Sequence, residues 1–181
     1  MLIPTAADGT LVLLGPGVLS EPMDVFQPLT ADAPAIELMT DFRRVRVCVV
    51  APERHVDAAL QDMIVEGVRA LVVVEEGWVR GLITATDILG PRPIQFLQSP
   101  LCDGNPCRHE DVHVGEIMTP WAELRLITMD WIMRSNCADV AVVFSATEAT
   151  HLLVISGSPN APATVCGLLS RTRLARQVAF S

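Results

Sequence analysis

The chain has 181 residues, a length that fits one domain or two small ones. Half of the residues are hydrophobic and 19% are charged, which is ordinary for a globular protein with a buried core. The formal net charge of -8 disfavours nucleic acid and anionic membranes as partners, because polyanions are bound by clustered Lys and Arg.

Residues 1–34 are rich in Pro and Gly and predict an irregular leader with one short strand at "LVLL" from Leu11. No cationic region precedes this apolar patch and Gly-Pro-Gly interrupts it, so we expect neither a signal peptide nor a membrane span. We therefore expect a cytoplasmic protein. Reduced thiols, several of them buried, are expected in that compartment for the five cysteines Cys48, Cys102, Cys107, Cys137 and Cys166.

A strand and an amphipathic helix are predicted next. "VRVCVV" from Val45 is typical of a strand, and Pro52 ends it in a way that suits the first turn of a helix. Apolar residues then recur at helical spacing from Val56 to Ile64, and Gly67 is a suitable C-terminal stop.

A hairpin and a second helix complete the first half. The continuous apolar run "ALVVV" from Ala70 predicts a strand that is covered on both faces. "EEGW" predicts a turn, "VRGLI" from Val79 predicts the returning strand, and a helix is expected to begin after Thr84.

The second half of the chain repeats this order. "VGEIMTP" from Val114 resembles "AIELMTD" from Ala35, and "HLLVIS" from His151 resembles "ALVVVE". "TVCGLLS" and the following "SRTRLARQ" from Ser170 correspond to "VRGLIT" and the helix after Thr84. The repeated unit takes up nearly half of the chain, which is longer than the unit of a solenoid. It therefore indicates a duplicated small domain.

The repeated unit, which ends in Gly-apolar-apolar-Ser/Thr-x-x-Asp in its first copy, resembles the cystathionine-β-synthase (CBS) domain. The two copies together resemble a tandem CBS pair, or Bateman module, over residues 35–180. The resemblance implies an α/β (α+β) fold in which each repeat is a three-stranded sheet with two helices, and the repeats pack sheet to sheet about a pseudo-twofold axis. The expected domains are residues 35–98 and 114–181, with an irregular leader at 1–34 and a connecting loop at 99–113.

The resemblance also implies a function. CBS pairs typically have two related pockets between the repeats, bind AMP, ADP, ATP or S-adenosylmethionine there, form homodimers, and regulate a partner protein allosterically without catalysing a reaction. We expect the same here, with an adenosine-type ligand and no required cofactor. A structural dimerisation module with vestigial pockets is the alternative, and an enzyme or metal protein that uses a Cys/His loop is a third.

Thr84 and Asp87 are the first candidate site. Their spacing predicts a capping box, in which each side chain accepts from an unpaired backbone N–H at the helix start. The same geometry can serve a ligand, since a helix N-terminus attracts phosphate and a carboxylate can accept from ribose hydroxyls. The resemblance assigns ribose to Asp87 and a nearby position to Thr84, with Gly81 permitting close approach of the backbone.

The second copy departs from this pattern. Ser170 keeps the hydroxyl, but Arg173 stands where an Asp is expected, and Arg can only donate hydrogen bonds. Arg171 or Arg173 could face the phosphates of a ligand whose ribose is held by Asp87. Alternatively, Arg173 pairs with an internal acid and the second pocket is inactive, or it is simply solvated.

The adenine slot is the third expectation. In the family it lies near the first strand of a repeat and the start of the second strand, which correspond here to Val45, Val47, Arg69, Ala70 and His151. Arg69 could reach a phosphate and His151 could stack or donate, although a surface Arg and a half-buried His are equally ordinary.

The connecting loop contains four residues of zinc-ligand type: Cys102, Cys107, His109 and His113. Their spacing is at the edge of finger-like patterns and no strand-helix scaffold flanks them. An ordinary loop is therefore the competing interpretation.

Overall fold

The computed structural model describes residues 2–4, 11–13, 28–102, 108–157 and 163–179. Its strands are β1 Leu2–Pro4, β2 Leu11–Leu13, β3 Leu29–Thr30, β4 Thr40–Asp41, β5 Val49–Val50, β6 Ala70–Glu75, β7 Trp78–Thr84, β8 Thr119–Pro120, β9 Leu126–Thr128, β10 His151–Ser156, β11 Thr164–Ser170 and β12 Val178–Ala179. Its helices are α1 Val56–Val65, α2 Ala85–Leu89, α3 Arg92–Leu97, α4 Val114–Ile117, α5 Met129–Ile132, α6 Cys137–Ser145 and α7 Arg171–Gln177. Single 3-10 turns occupy Ala35–Leu38, Pro100–Cys102, His109–Asp111 and Trp121–Glu123.

The strand predicted in the leader is present as β2, and it pairs with β1 in an antiparallel ribbon that the sequence did not indicate. The predicted strand at Val45 is confined to β5, its last two residues. None of the helices in the described ranges is long and apolar enough to cross a bilayer.

Two four-stranded sheets, one from each half, form the centre of the fold. The first has the order β5-β6-β7-β8 and the second has the order β4-β11-β10-β9. In each sheet a hairpin pairs antiparallel, and the strand before the helix pairs parallel to the hairpin. The predicted three-stranded sheets are therefore present, and each gains a fourth strand.

The fourth strand of each sheet comes from the other half of the chain. We call residues 35–41 and 114–120 the lead-in segments, since each forms the beginning of one repeat. Strand β4 of the first lead-in pairs with β11 of the second half, and β8 of the second lead-in pairs with β7 of the first half. Each half thus contributes its lead-in strand to the sheet of the other half.

Gly81 and Gly167 allow this exchange. A Cβ atom on Gly81 would collide with the carbonyl oxygen of Thr119 in β8, and one on Gly167 would meet the Met39 sulfur at 2.6 Å. Only glycine lets the lead-in strand approach so closely. The close approach at Gly81 is therefore to the other half's backbone, and its expected role beside a ligand stays a prediction.

The hydrophobic cores follow the same exchange. Leu38 and Met39 of the first lead-in pack in the second half's core, whose largest buried side chain is Phe144. Val114 and Ile117 of the second lead-in pack in the first half's core. A third cluster joins the inner faces of the two sheets, and its buried members are Val72, Leu82 and Leu153.

Candidate functional site

Two cavities lie between the halves, and both are lined by Leu82 and His151. The first cavity, of about 690 Å³, is lined by Leu82, Thr84, Asp87, Arg92, Thr119, Glu123, Leu124, Arg125 and residues 145–151. The second cavity, of about 410 Å³, is lined by Thr40, Phe42, Arg46, Val47, Cys48, residues 67–70, Val72, Leu82, His151, Leu168, Ser170, Thr172, Arg173, Arg176 and Gln177. Both volumes are in the range of small-molecule sites.

Asp87 is held firmly at the wall of the first cavity. Its Oδ2 atom accepts from the Thr84 amide at 2.8 Å and from the Thr84 hydroxyl at 2.7 Å. The Asp87 amide in turn donates to Thr84 Oγ1 at 3.2 Å, which completes the predicted capping box. Thr84 is buried and the Asp87 side chain is 14% exposed, so the carboxylate is oriented in advance.

Arg92 is a residue of this site that the sequence reasoning missed. Its Nη1 atom lies 3.2 Å from Asp87 Oδ1 and donates to the Ile117 carbonyl at 2.8 Å and to Thr119 Oγ1 at 3.1 Å. The helix expected after Thr84 stops at Leu89, and α3 begins at Arg92 after the Gly-Pro turn. The position of this arginine just past the turn could have indicated its role, since the turn folds the chain back toward the start of α2.

The attraction of a helix N-terminus for phosphate is weak here. The macrodipole grows with aligned peptide units, and α2 has only five residues. The positive charge at the first cavity comes instead from Arg92 and Arg125. Three carboxylates, those of Asp87, Glu123 and Glu148, also line it.

Ser170 and Arg173 line the second cavity. Two of the alternatives for Arg173 were an ion pair with an internal acid and simple solvation, and its contacts match neither. Its Nε donates to Gln177 Oε1 at 2.7 Å and its Nη1 donates to Thr40 Oγ1 at 3.1 Å. A longer contact of 3.4 Å joins Nη2 to the Glu37 carbonyl. Arg173 therefore neither pairs with a carboxylate of the described chain nor is simply solvated. It ties the first lead-in to α7.

Of the two arginines expected near a ligand's phosphates, Arg171 is engaged within its own half. Its guanidinium donates to the carbonyls of Phe144, Thr147 and Ala149 and lies 5.2 Å from the centre of the Phe144 ring. It lines neither cavity. Because the Phe144 carbonyl lies in the last turn of α6 and the other two carbonyls follow that helix, Arg171 caps the helix end and supports the loop that forms one wall of the first cavity.

The structure divides the predicted adenine slot. Val47, Arg69 and Ala70 line the second cavity, so they lie with Ser170 and Arg173 and not with Asp87. His151 is shared by both cavities. Val45 is 48% exposed and, like Gly81, lines neither cavity. Each cavity thus combines the turn before one repeat's hairpin with the helix start of the other repeat.

His151 is partly buried, and its Nδ1 atom lies 3.0 Å from the Thr150 hydroxyl. Burial lowers the pKa of its imidazole, because the charged form loses hydration, while the charge of Asp87 acts in the opposite direction. The ring between the two cavities is therefore biased toward its neutral form.

The Cys/His loop is not assembled as a metal site in the described residues. Cys102 is disulfide-bonded, which corrects the expectation of a reduced thiol, whereas Cys48, Cys137 and Cys166 are free. His109 Nδ1 lies 3.3 Å from Asp57 Oδ2, and the His113 ring stacks on His55 at 4.5 Å between centroids. No group of three ligand-type side chains converges within those residues, and Cys107 lies outside them.

A family model for the CBS domain matches residues 35–90. No curated protein sequence matches the chain. Among solved structures, CBSX2 in complex with AMP, a protein of Arabidopsis thaliana, is similar at 24% identity with a TM-score of 0.54, over 80% of this chain and 94% of that one.

Two archaeal structures are similar as well. A conserved CBS domain protein of Thermoplasma acidophilum has 19% identity and a TM-score of 0.54, over 78% of this chain and 70% of that one. A putative archaeal homolog of γ-AMPK from Methanocaldococcus jannaschii has 20% identity and a TM-score of 0.52, over 81% of this chain and 48% of that one. Residues 35–90 are therefore similar to the CBS domain, and the two halves together have the fold of a tandem CBS pair, the Bateman module.

Proposed function

We propose that the protein is a regulatory module that binds an adenosine-containing ligand in the first cavity and signals to a partner protein by a change of shape. The observation that carries this proposal is the oriented carboxylate of Asp87 at the wall of a cavity between the two halves. The AMP complex of CBSX2 and the likeness to a putative archaeal γ-AMPK homolog support the ligand class.

Asp87 suits a ribose because one of its oxygens retains accepting capacity. Oδ2 already accepts two hydrogen bonds from Thr84, whereas Oδ1 has only Arg92 as a partner among the described residues. A carboxylate offers about four acceptor positions. A ribose hydroxyl can therefore bond to Oδ1 beside Arg92, and a second can bond there if Arg92 turns toward the ligand's phosphate.

The charges of the first cavity favour a ligand that carries little negative charge. Its two arginines face three carboxylates, so a triphosphate would meet more repulsion than a monophosphate, and more than S-adenosylmethionine with its cationic sulfonium. We propose AMP or S-adenosylmethionine as the preferred ligand over ATP.

Signalling would use the position of the cavity between the halves. Asp87 belongs to the first half, and the loop at residues 145–151 belongs to the second. A ligand that contacts both would stabilise one arrangement of the two halves over another. The shift is limited by the difference in ligand affinity between the two shapes. We propose that a homodimer delivers this change to the partner.

A structural dimerisation module is the second candidate. It is favoured by Arg173, which replaces the expected carboxylate and is occupied in bonds to Gln177 and Thr40.

Ligand-dependent stability distinguishes the two. AMP, ATP and S-adenosylmethionine are each added to the full chain, and unfolding is followed by denaturant or heat. A ligand at about 100 times its Kd stabilises by about 2.7 kcal/mol if it binds only the folded state. We expect this stabilisation from AMP or S-adenosylmethionine, and we expect Asp87→Ala to abolish it.

Asp139→Ala is the matched control. Asp139 forms the same kind of capping box with Asn136 at the start of α6, but it does not line the first cavity. Both variants lose a cap, and only Asp87→Ala loses the ribose acceptor. A folded Asp87→Ala protein that binds as tightly as Asp139→Ala contradicts the assignment, and the absence of stabilisation by any of the ligands favours the dimerisation module.

A further inference from the structure

The second cavity concentrates positive charge in an acidic protein. The chain has 13 cationic residues, all of them arginine, and a net charge of -8. Four of these arginines line the second cavity, and no Asp or Glu of the described ranges lines it. They are Arg46, Arg69, Arg173 and Arg176.

These four charges are not neutralised within the described chain. Arg173 has only neutral partners, Gln177, Thr40 and the Glu37 carbonyl. Arg46, Arg69 and Arg176 form no side-chain hydrogen bond or ion pair with any residue in the described ranges. They are solvent-exposed at the rim of the cavity.

Arginines elsewhere in the described chain are mostly paired. Six of them have a carboxylate within 4.0 Å, and two more donate to backbone carbonyls. The first group is Arg43, Arg44, Arg54, Arg80, Arg92 and Arg108, and the second is Arg134 and Arg171. The second cavity therefore differs in kind, since like charges gathered in one cleft focus a field that attracts anions.

We propose that the second cavity binds an oligophosphate chain, a ligand with two or more linked phosphates, and that it recognises the phosphates without requiring a nucleoside. Guanidinium groups bind phosphate oxygens with paired donors. The hydroxyls of Ser170 and Thr172 add neutral donors beside them. A ribose has no carboxylate to donate to in this cavity, unlike the first.

Two sources could supply this chemistry, an inorganic oligophosphate or the phosphate chain of a nucleotide. The proposal does not depend on the function assigned to the first cavity, and Asp87→Ala separates the two cavities. Titration calorimetry of the full chain at low salt uses inorganic pyrophosphate, inorganic triphosphate and ATP, with a chelator present so that no metal bridges the ligand to carboxylates.

We expect inorganic triphosphate to bind the native chain and the Asp87→Ala variant equally. Arg69→Gln and Arg176→Gln should each weaken this binding by about threefold to tenfold, since each removes one exposed charge-assisted contact. Neither residue has a structural partner to lose, so both variants should fold. Arg134→Gln, which removes one charge on a surface outside both cavities, should bind as the native chain does. Higher salt should weaken binding throughout.

ATP should compete with inorganic triphosphate in Asp87→Ala, which would show that a nucleotide's phosphates enter the same cavity. Binding of ATP but not of inorganic triphosphate would overturn the proposal, because a nucleoside would then be required. So would triphosphate binding that Asp87→Ala or Arg92→Gln abolishes while Arg69→Gln leaves it unchanged. The absence of any oligophosphate binding would overturn it as well.

Discussion

Arg92 Nη1 lies 3.2 Å from Asp87 Oδ1, and the same nitrogen donates to the carbonyl of Ile117 and the hydroxyl of Thr119. The carboxylate at the first cavity is thus connected through one guanidinium to the lead-in segment of the other half. Any ligand that draws Arg92 away from Asp87 would also act on that segment.

Replacing Arg92 should therefore weaken the fold more than replacing an ordinary surface arginine. Arg92→Gln removes a charge-assisted bond to a carbonyl and an ion pair, and since the side chain is 39% exposed we expect a loss of about 1–2 kcal/mol in the free energy of unfolding. Arg80→Gln is the control, because a surface ion pair with Glu75 is the only polar side-chain contact of Arg80 within the described part of the chain, and its loss should cost less than about 1 kcal/mol. Equal losses in denaturant unfolding would contradict the role of Arg92.

Arg171 should matter for stability and indirectly for the first cavity. Arg171→Met removes the guanidinium that donates to the carbonyls of Phe144, Thr147 and Ala149, at a cost of about 2–4 kcal/mol for partly buried groups. Faster amide hydrogen exchange at residues 145–151 would show that the cavity wall has loosened. A variant with unchanged stability and exchange would show that water replaces the guanidinium without loss.

Gly81→Ala tests the exchanged strand. The added methyl group would clash with the Thr119 carbonyl, and separation of β7 from β8 should cost about 1–3 kcal/mol. Gly67→Ala is the comparison, because a methyl group there meets no atom within 4 Å and only the positive φ of 66° is strained. We expect it to lower the free energy of unfolding by about 1 kcal/mol. Denaturant unfolding measures both. If Gly81→Ala is no worse than Gly67→Ala, the close approach of the strands is not required.

His151 should make stability depend on pH below its ordinary pKa of 6.5. Burial lowers the pKa of the folded imidazole, so between 6.5 and that lower value the unfolded chain binds more protons and stability falls as the pH falls. Removing the opposing charge in Asp87→Ala should lower the pKa further and steepen this decline. Proton NMR titration checks the pKa, and His151→Gln should lose this part of the pH dependence. A pKa at or above 6.5 in the folded chain would contradict the assignment.

The sequence predicted the features that depend on local spacing. The duplication, the two hairpins and the Thr84–Asp87 capping box were all correct, because hydrophobic runs and cap spacing act over a few residues. The strands β4 and β8 were not predicted, since two residues have no periodicity. The grouping of Arg69 with Arg173 could not be predicted either, because it depends on how the two halves face each other.

The roles of two neighbouring arginines could not be predicted from the sequence for the same reason. Arg171 and Arg173 are two residues apart in one short helix, yet one supports a loop of its own half and the other reaches the lead-in of the first half. No sequence pattern separates these roles, because both are decided by which backbone carbonyls and hydroxyls the tertiary fold brings within reach.

The exchanged lead-in segments make the two halves a single cooperative unit. A fragment cut at residue 98 would have no β8, and the edge of β7 would be left with unpaired backbone groups that invite pairing with another copy. The same cut would remove Val114 and Ile117 from its core. Interlocking therefore joins the two repeats more firmly than a packed interface would, and it predicts that the native chain unfolds in one transition although its sequence contains the same unit twice.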